Sequence, residues 1–139
     1  MSEVVTPAGN GLLTGLKVTT TTVAVGVVVQ AWLGSTGLFL GEPGRIDIHA
    51  MVGNMMFLLA VIQIGLALFA MQKGLASRNL LIVTVITALL VTAQIGLGYG
   101  TRESVNALAW HLPNGVALMG FSTVAAVMAF QPRVASPGE

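Results

Sequence analysis

Cysteine is absent from this chain of 139 residues. Disulfides, thiolate metal sites and iron–sulfur clusters are therefore excluded. Charge is scarce as well. Only 8% of residues are Asp, Glu, Lys or Arg, whereas a soluble domain carries roughly 25%. A net charge of +1 lacks the basic excess that marks a nucleic-acid binder. Histidine occurs only twice, as His49 and His111. What the chain does have is apolar surface. It is 55% hydrophobic, with a mean hydropathy of +0.87. So few charges cannot cover a surface in water, which makes lipid the expected solvent.

A membrane helix needs roughly 20 mostly apolar residues. Four stretches qualify, at about 18–39, 46–71, 80–99 and 105–130. The only acidic or basic residue in them is Asp47, at the start of the second. Gly41-Glu42-Pro43-Gly44 reads as a turn leading into a helix start. Gln72-Lys73-Gly74 closes the second span, and Ser77-Arg78-Asn79 offers N-caps for the third. Gly98 to Ser104 separates the third from the fourth, and Gln131-Pro132-Arg133 closes the last. Both tails, rich in Gly, Pro, Ser and Glu, are expected to fray. The first run is longer than the apolar region of a cleaved leader and is read as a helix. The expectation is one all-α domain over 1–139, an integral membrane four-helix up-down bundle.

Orientation follows the Lys/Arg bias between the two sides. With the N-terminus in the cytoplasm, Lys17, Lys73, Arg78 and Arg133 lie inside, and Arg45 and Arg102 outside. Both termini are then cytoplasmic, with the plasma (inner) membrane as the expected location. The histidines fall toward the outer face.

The two halves of the chain resemble each other. Gln30-Ala31-Trp32-Leu33-Gly34 matches Gln94-Ile95-Gly96-Leu97-Gly98 as Q-x-x-L-G. His49-x-x-x-Gly53 matches His111-x-x-x-Gly115, and Gln precedes His by nineteen residues in one half and seventeen in the other. Each half is a helical hairpin. The hairpins run in the same direction, which makes a parallel repeat about an axis along the membrane normal. Such an axis sets the histidines at similar depth, facing each other. Gln63-Ile64-Gly65-Leu66 echoes the third span without fitting the repeat, so short matches also arise by chance. Any single glycine here also serves helix packing.

In an up-down bundle the second and fourth helices are diagonal. With neighbours 8–10 Å apart, the diagonal is roughly 11–14 Å. The rings are expected to stand too far apart to touch, with a metal centred between them in a flat macrocycle. Haem iron takes axial histidines, and without cysteine only non-covalent haem is open to this chain. Gly53 and Gly115, one turn from each histidine, let a ring face approach the helix, and Gly34 and Gly98 do the same from the flanking helices. Arg45 and Arg102 sit near the outer mouth, where they suit carboxylates such as haem propionates. Gln30 and Gln94 either orient a ligand or bond between helices.

Other metals fit less well. Two histidines are too few for a closed zinc site. Glu42 and Asp47 lie near His49, but no carboxylate accompanies His111. Met51, Met55 and Met56 suggest soft-metal ligation to copper, although Met also fills gaps in apolar packing. Pro113 leaves two readings. Either His111 lies inside a helix begun at Ser104 and kinked by Pro113, or Pro113 opens the helix and His111 precedes it. Only the first points His111 inward.

The order of Gln and Gly closing one helix, then His opening the next, resembles one half of the haem A synthase family. The nearest stretch is Leu90 to Ala117, with Q-x-x-L-G and H-L-x-x-x-x-A. The chain also resembles small actinobacterial four-helix membrane proteins with a histidine opening helices two and four. The resemblance implies a four-helix bundle with haem held by histidines on its second and fourth helices. This chain has one such bundle where the synthases have two, and no acidic catalytic residue lies beside either histidine on the inward path. It therefore implies b-haem binding, not synthase activity.

The expected function is that of a membrane cytochrome b, with one haem b ligated by His49 and His111 and flanked by Gly34, Gly53, Gly98, Gly115, Arg45 and Arg102. Six-coordinate iron favours electron transfer to or from quinol or a redox protein, and the chain reads as a carrier more than as a stand-alone enzyme. The alternatives are an accessory subunit of a larger membrane complex, or a protein for haem transport or sensing.

Overall fold

The structure, a computed structural model, describes residues 7–131, with side chains from residue 11 onward. These residues form four helices: α1 Pro7–Phe39, α2 Pro43–Gln72, α3 Arg78–Gly100 and α4 Val105–Phe130. All four are long and apolar enough to cross a bilayer. The shortest, α3, has 23 residues, about 34 Å at 1.5 Å per residue, which exceeds the roughly 30 Å hydrocarbon core.

The ends follow from local chemistry. Ser77 caps α3 by accepting from Leu80 N at 3.1 Å, and Ser104 caps α4 by accepting from Asn106 N at 3.2 Å. Pro43 occupies the first turn of α2, where its missing N–H is not needed. The α2 C-terminus is closed by Gly74 at φ +71°, with Gly74 N bonded to Met71 O and Leu75 N to Ala70 O. That arrangement needs a left-handed residue, which glycine supplies without strain. The expected N-terminal fraying is corrected from residue 7 onward, because α1 begins eleven residues before the apolar run. Leu16 is buried in the core and Leu12 packs against it, so this segment has a helical apolar face of its own. Residues 1–6 and 132–139, where the rest of the expected fraying falls, lie outside the described residues.

Each helix packs on two neighbours: α1 on α2 and α4, and α3 on α2 and α4. The diagonal pairs do not meet through their backbones. The outward faces carry large apolar side chains such as Leu58, Leu89, Val116 and Val127, all more than half exposed. With lipid as solvent these need no cover.

The core obeys the internal repeat along most of its length. Gln94 follows Gln30 by 64 positions, and His111 follows His49 by 62. At the first offset, Leu16 and Leu80, Thr20 and Thr84, Val23 and Thr87, and Val27 and Val91 are all buried. At the second, so are Met56 and Leu118, Ala60 and Ser122, Gln63 and Ala125, and Ala67 and Ala129. A two-fold pattern in the buried set means that both hairpins present the same face to the axis. One apolar cluster, with Leu16, Ala67, Leu80 and Ala125, fills the end carrying the termini. A second, with Val27, Ala60, Val91 and Leu118, fills the middle. Gln63 is only 1% exposed, and its Oε1 has no hydrogen-bond partner among the described residues.

Candidate functional site: a histidine pair at the hairpin end

Beyond the middle cluster, toward the α1–α2 and α3–α4 loops, the axis is lined by polar side chains instead of aliphatic ones. His49, His111, Gln30, Gln94 and Asn114 gather there, and all are partly buried. The helix register brings them together. In each antiparallel hairpin, Gln and Gly four apart on one helix face Gly and His four apart on the next. The histidine therefore lies over the first helix's glycine, and the glutamine over the second's. A Cβ on Gly34 would lie 3.0 Å from His49 Cε1, and one on Gly98 would lie 3.2 Å from His111 Cε1. A Cβ on Gly53 would lie 2.8 Å from Gln30 Nε2, and one on Gly115 would lie 3.2 Å from Gln94 Nε2. All four glycines belong to the site. The pair that seats the rings is Gly34 and Gly98, while the pair after the histidines, Gly53 and Gly115, seats the glutamines.

The imidazoles point inward and meet. Their ring centroids are 6.1 Å apart, with the planes inclined at 61°. The expectation that the rings stand too far apart to touch is thus corrected. The helices are diagonal, but each side chain reaches several ångströms from its helix toward the axis. Pro113 lies within α4, which runs from the Ser104 cap. Of its two readings, the one that points His111 inward therefore holds.

Hydrogen bonds fix the ring tautomers. His49 Nδ1 lies 3.0 Å from Gln30 O. A carbonyl only accepts, so Nδ1 carries the proton and Nε2 keeps its lone pair. Gln30 Nε2 in turn donates to His49 O at 2.9 Å. In the other half the chain of bonds starts at Asn114, whose Nδ2 donates to Leu90 O at 3.0 Å and to Gln94 Oε1. Gln94 is thereby oriented with its Nε2 toward His111 Nε2, at 3.0 Å. His111 Nε2 must accept, so Nδ1 again holds the proton. That Nδ1 is buried without a partner among the described residues, as is Gln30 Oε1. The halves thus share a tautomer and differ in their wiring. The sequence accounts for the difference: the residue equivalent to Asn114 in the first half is Val52, which cannot hold the glutamine.

The remaining candidates sit at the rim. Arg45 pairs with Glu42 and stacks over Trp32 at 5.3 Å. Arg102 stacks over Tyr99 at 5.6 Å, and the Tyr99 hydroxyl accepts from Asn54 at 3.0 Å. Asp47 is exposed. Met51 and Met55 face outward, and Met56 packs away from the histidines with its sulfur over Gly26. Among the described residues, no group of three or more His, Cys, Asp or Glu side chains converges. Reading the sequence for repeated motifs misses Asn114, because the first half has no counterpart to it. Its signal is an amide inside an apolar span, three residues past His111 and so on the same helix face. No protein-family model, curated protein or solved structure matches this chain.

Proposed function

We propose that this chain is a membrane b-type cytochrome in which His49 and His111 would hold one non-covalent haem b between α2 and α4, and that it serves electron transfer. The observation that carries the reading is the facing pair of imidazoles, both in the Nδ1–H tautomer: the Nε2 lone pair of His49 has no partner among the described residues, and that of His111 is held only by Gln94. Two imidazoles ligating one metal through nitrogen, at about 2.0–2.1 Å each, bring their ring centres roughly 6 Å apart. The separation of 6.1 Å agrees with that figure. An Nδ1–H held by a backbone carbonyl, as in His49, is the usual support for an imidazole ligand. The four glycines seat the two rings and the two glutamines side by side, and buried polar atoms of Gln30 and His111 are left without partners among the described residues.

Bound haem would supply a one-electron couple. The chain's own contribution is to hold both rings in the Nδ1–H tautomer and to keep the ligating end in a lipid-enclosed bundle. Arg45 and Arg102 would meet propionate carboxylates at the rim. In the proposed plasma membrane, the Lys/Arg bias supports both termini on the cytoplasmic side and the histidines toward the outer face. Quinol or a redox protein is the proposed electron partner.

The test is the absorption spectrum of the detergent-purified protein, as isolated and after titration with hemin. A low-spin spectrum with a sharp Soret band is expected, and His49→Ala and His111→Ala should each abolish the low-spin form. Unchanged low-spin haem in both variants overturns the ligand assignment. A colourless protein that takes up no hemin overturns the proposal and favours an accessory subunit.

A further inference from the structure

The two histidines are not equivalent partners for a metal. His49 is anchored through Nδ1 on Gln30 O, and no hydrogen bond among the described residues competes for its Nε2. His111 has the reverse arrangement: its Nδ1 is unpartnered and its Nε2 is occupied by Gln94. To ligate a metal, His111 must give up the Gln94 bond, and Asn114 keeps Gln94 in place to compete for it. Asn114 also lines a recess of about 420 Å³ on the α3–α4 flank, with Leu97, Trp110 and Pro113. Trp110 and Pro113 are exposed on the lipid-facing side. Asn114 thus borders the lipid-facing surface on one side and holds Gln94 on the other.

We propose that Asn114, acting through Gln94, makes His111 the displaceable ligand of the two, so that a small neutral diatomic molecule takes its place while His49 stays bound. The inference rests on the haem-binding reading and extends it to a small-molecule ligand site. The exchange is a ligand substitution: the imidazole nitrogen leaves and the incoming molecule donates its own lone pair, with no change in electron count. Asn114 is a positioning residue here and touches neither the metal nor the incoming molecule.

Carbon monoxide is the probe, added to the reduced, haem-loaded protein in detergent. Wild type is expected to bind it, with loss of the six-coordinate bis-histidine bands. Asn114→Val copies the first half of the repeat and frees Gln94 from its hold on the ring. Carbon monoxide affinity should then fall at least about fivefold, the equivalent of one hydrogen bond no longer competing with the metal. Gln94→Leu removes the competing donor directly and should act in the same direction, which covers the case in which the Asn114 variant fails to fold. His111→Ala should bind more tightly than wild type. A merely structural role for Asn114 would lower the amount of haem held without moving the affinity of the haem that remains. Wild-type reduced protein that holds low-spin haem but ignores saturating carbon monoxide overturns the inference, as does unchanged or tighter binding in Asn114→Val and Gln94→Leu. Protein that takes up no haem at all overturns the underlying reading instead.

Discussion

The reciprocal seating of rings on glycines makes a quantitative prediction that does not depend on any cofactor. Replace Gly34, Gly98 and Gly96 by alanine, one at a time. In a helix interior alanine is favoured over glycine by about 0.5–1 kcal/mol. At Gly96 nothing lies within 4 Å of an added Cβ, so that gain should appear in full. At Gly34 the Cβ would lie 3.0 Å from His49 Cε1 and 3.1 Å from its Nδ1. The ring resists, because its Nδ1 is tied to Gln30 O, one turn back on the same helix as Gly34. Moving it stretches a bond worth about 1 kcal/mol and adds overpacking of about 1–3 kcal/mol. After the helix gain, Gly34→Ala should lose about 1–3 kcal/mol by these terms. At Gly98 the nearest ring atoms are farther off, 3.2 and 3.6 Å away, and the one bond on the His111 ring runs to the flexible Gln94 side chain, not to backbone. The contact is looser there, and the net change should stay within about 0.5 kcal/mol by the same terms.

The assay is reversible unfolding in mixed micelles titrated with SDS, followed by helical circular dichroism or tryptophan fluorescence. The expected order of stability is Gly96→Ala, then wild type and Gly98→Ala close together, then Gly34→Ala. If Gly98→Ala is the least stable, or if Gly34→Ala matches Gly96→Ala, then His49 is not held as described and the tautomer argument for the first half fails with it.

Two further outcomes follow from the core and the connections. Gln63 is buried with an unpartnered Oε1, so Gln63→Leu should leave the fold intact and stabilise it by up to about 1–2 kcal/mol; destabilisation of that size in the same titration would mean that the amide has a partner. Gly74→Ala places a Cβ at φ +71° and should cost about 1–2 kcal/mol, whereas an unchanged unfolding midpoint would show that the α2–α3 turn tolerates another conformation.

Much of the fold is legible in the sequence because it rests on short-range signals. Apolar runs bounded by Gly41 to Gly44, Gln72 to Gly74 and Gly98 to Ser104 define four spans, and Ser77 stands out as a cap candidate from its position alone. The start of α1 is hidden because Thr14, Gly15 and Lys17 dilute the apolar run, and the helical spacing of Leu12 and Leu16 is weak evidence until a partner face is known. The meeting of the two rings is hidden for a different reason. Axis spacing says how far apart diagonal helices stand, but contact depends on how far side chains reach into the bundle. The division of labour among the glycines needs the hairpin register, which sequence spacing alone leaves open by a residue or two. Gln63 shows the limit of short matches. Its local resemblance to the Gln94 segment has no structural counterpart, and its place in the repeat is that of Ala125.

A single departure from the repeat accounts for both buried orphans near the histidines. With Val52 beside it, Gln30 turns its amide nitrogen to the His49 carbonyl and leaves Oε1 bare, so the ring stays free to anchor on Gln30 O. With Asn114 beside it, Gln94 has its oxygen satisfied and spends its nitrogen on the His111 ring, which leaves Nδ1 bare. Each half therefore leaves one buried polar atom unpartnered, at a cost of about 1–3 kcal/mol, and the valine-to-asparagine difference decides only which atom it is. Stability does not distinguish the two wirings, since each has one orphan. What distinguishes them is the state of the imidazole: anchored with its lone pair free in one half, unanchored with its lone pair engaged in the other. The repeat keeps the same positions buried but not the same residues, and the Val52-to-Asn114 change is the one whose side chain reaches the glutamine that touches the ring.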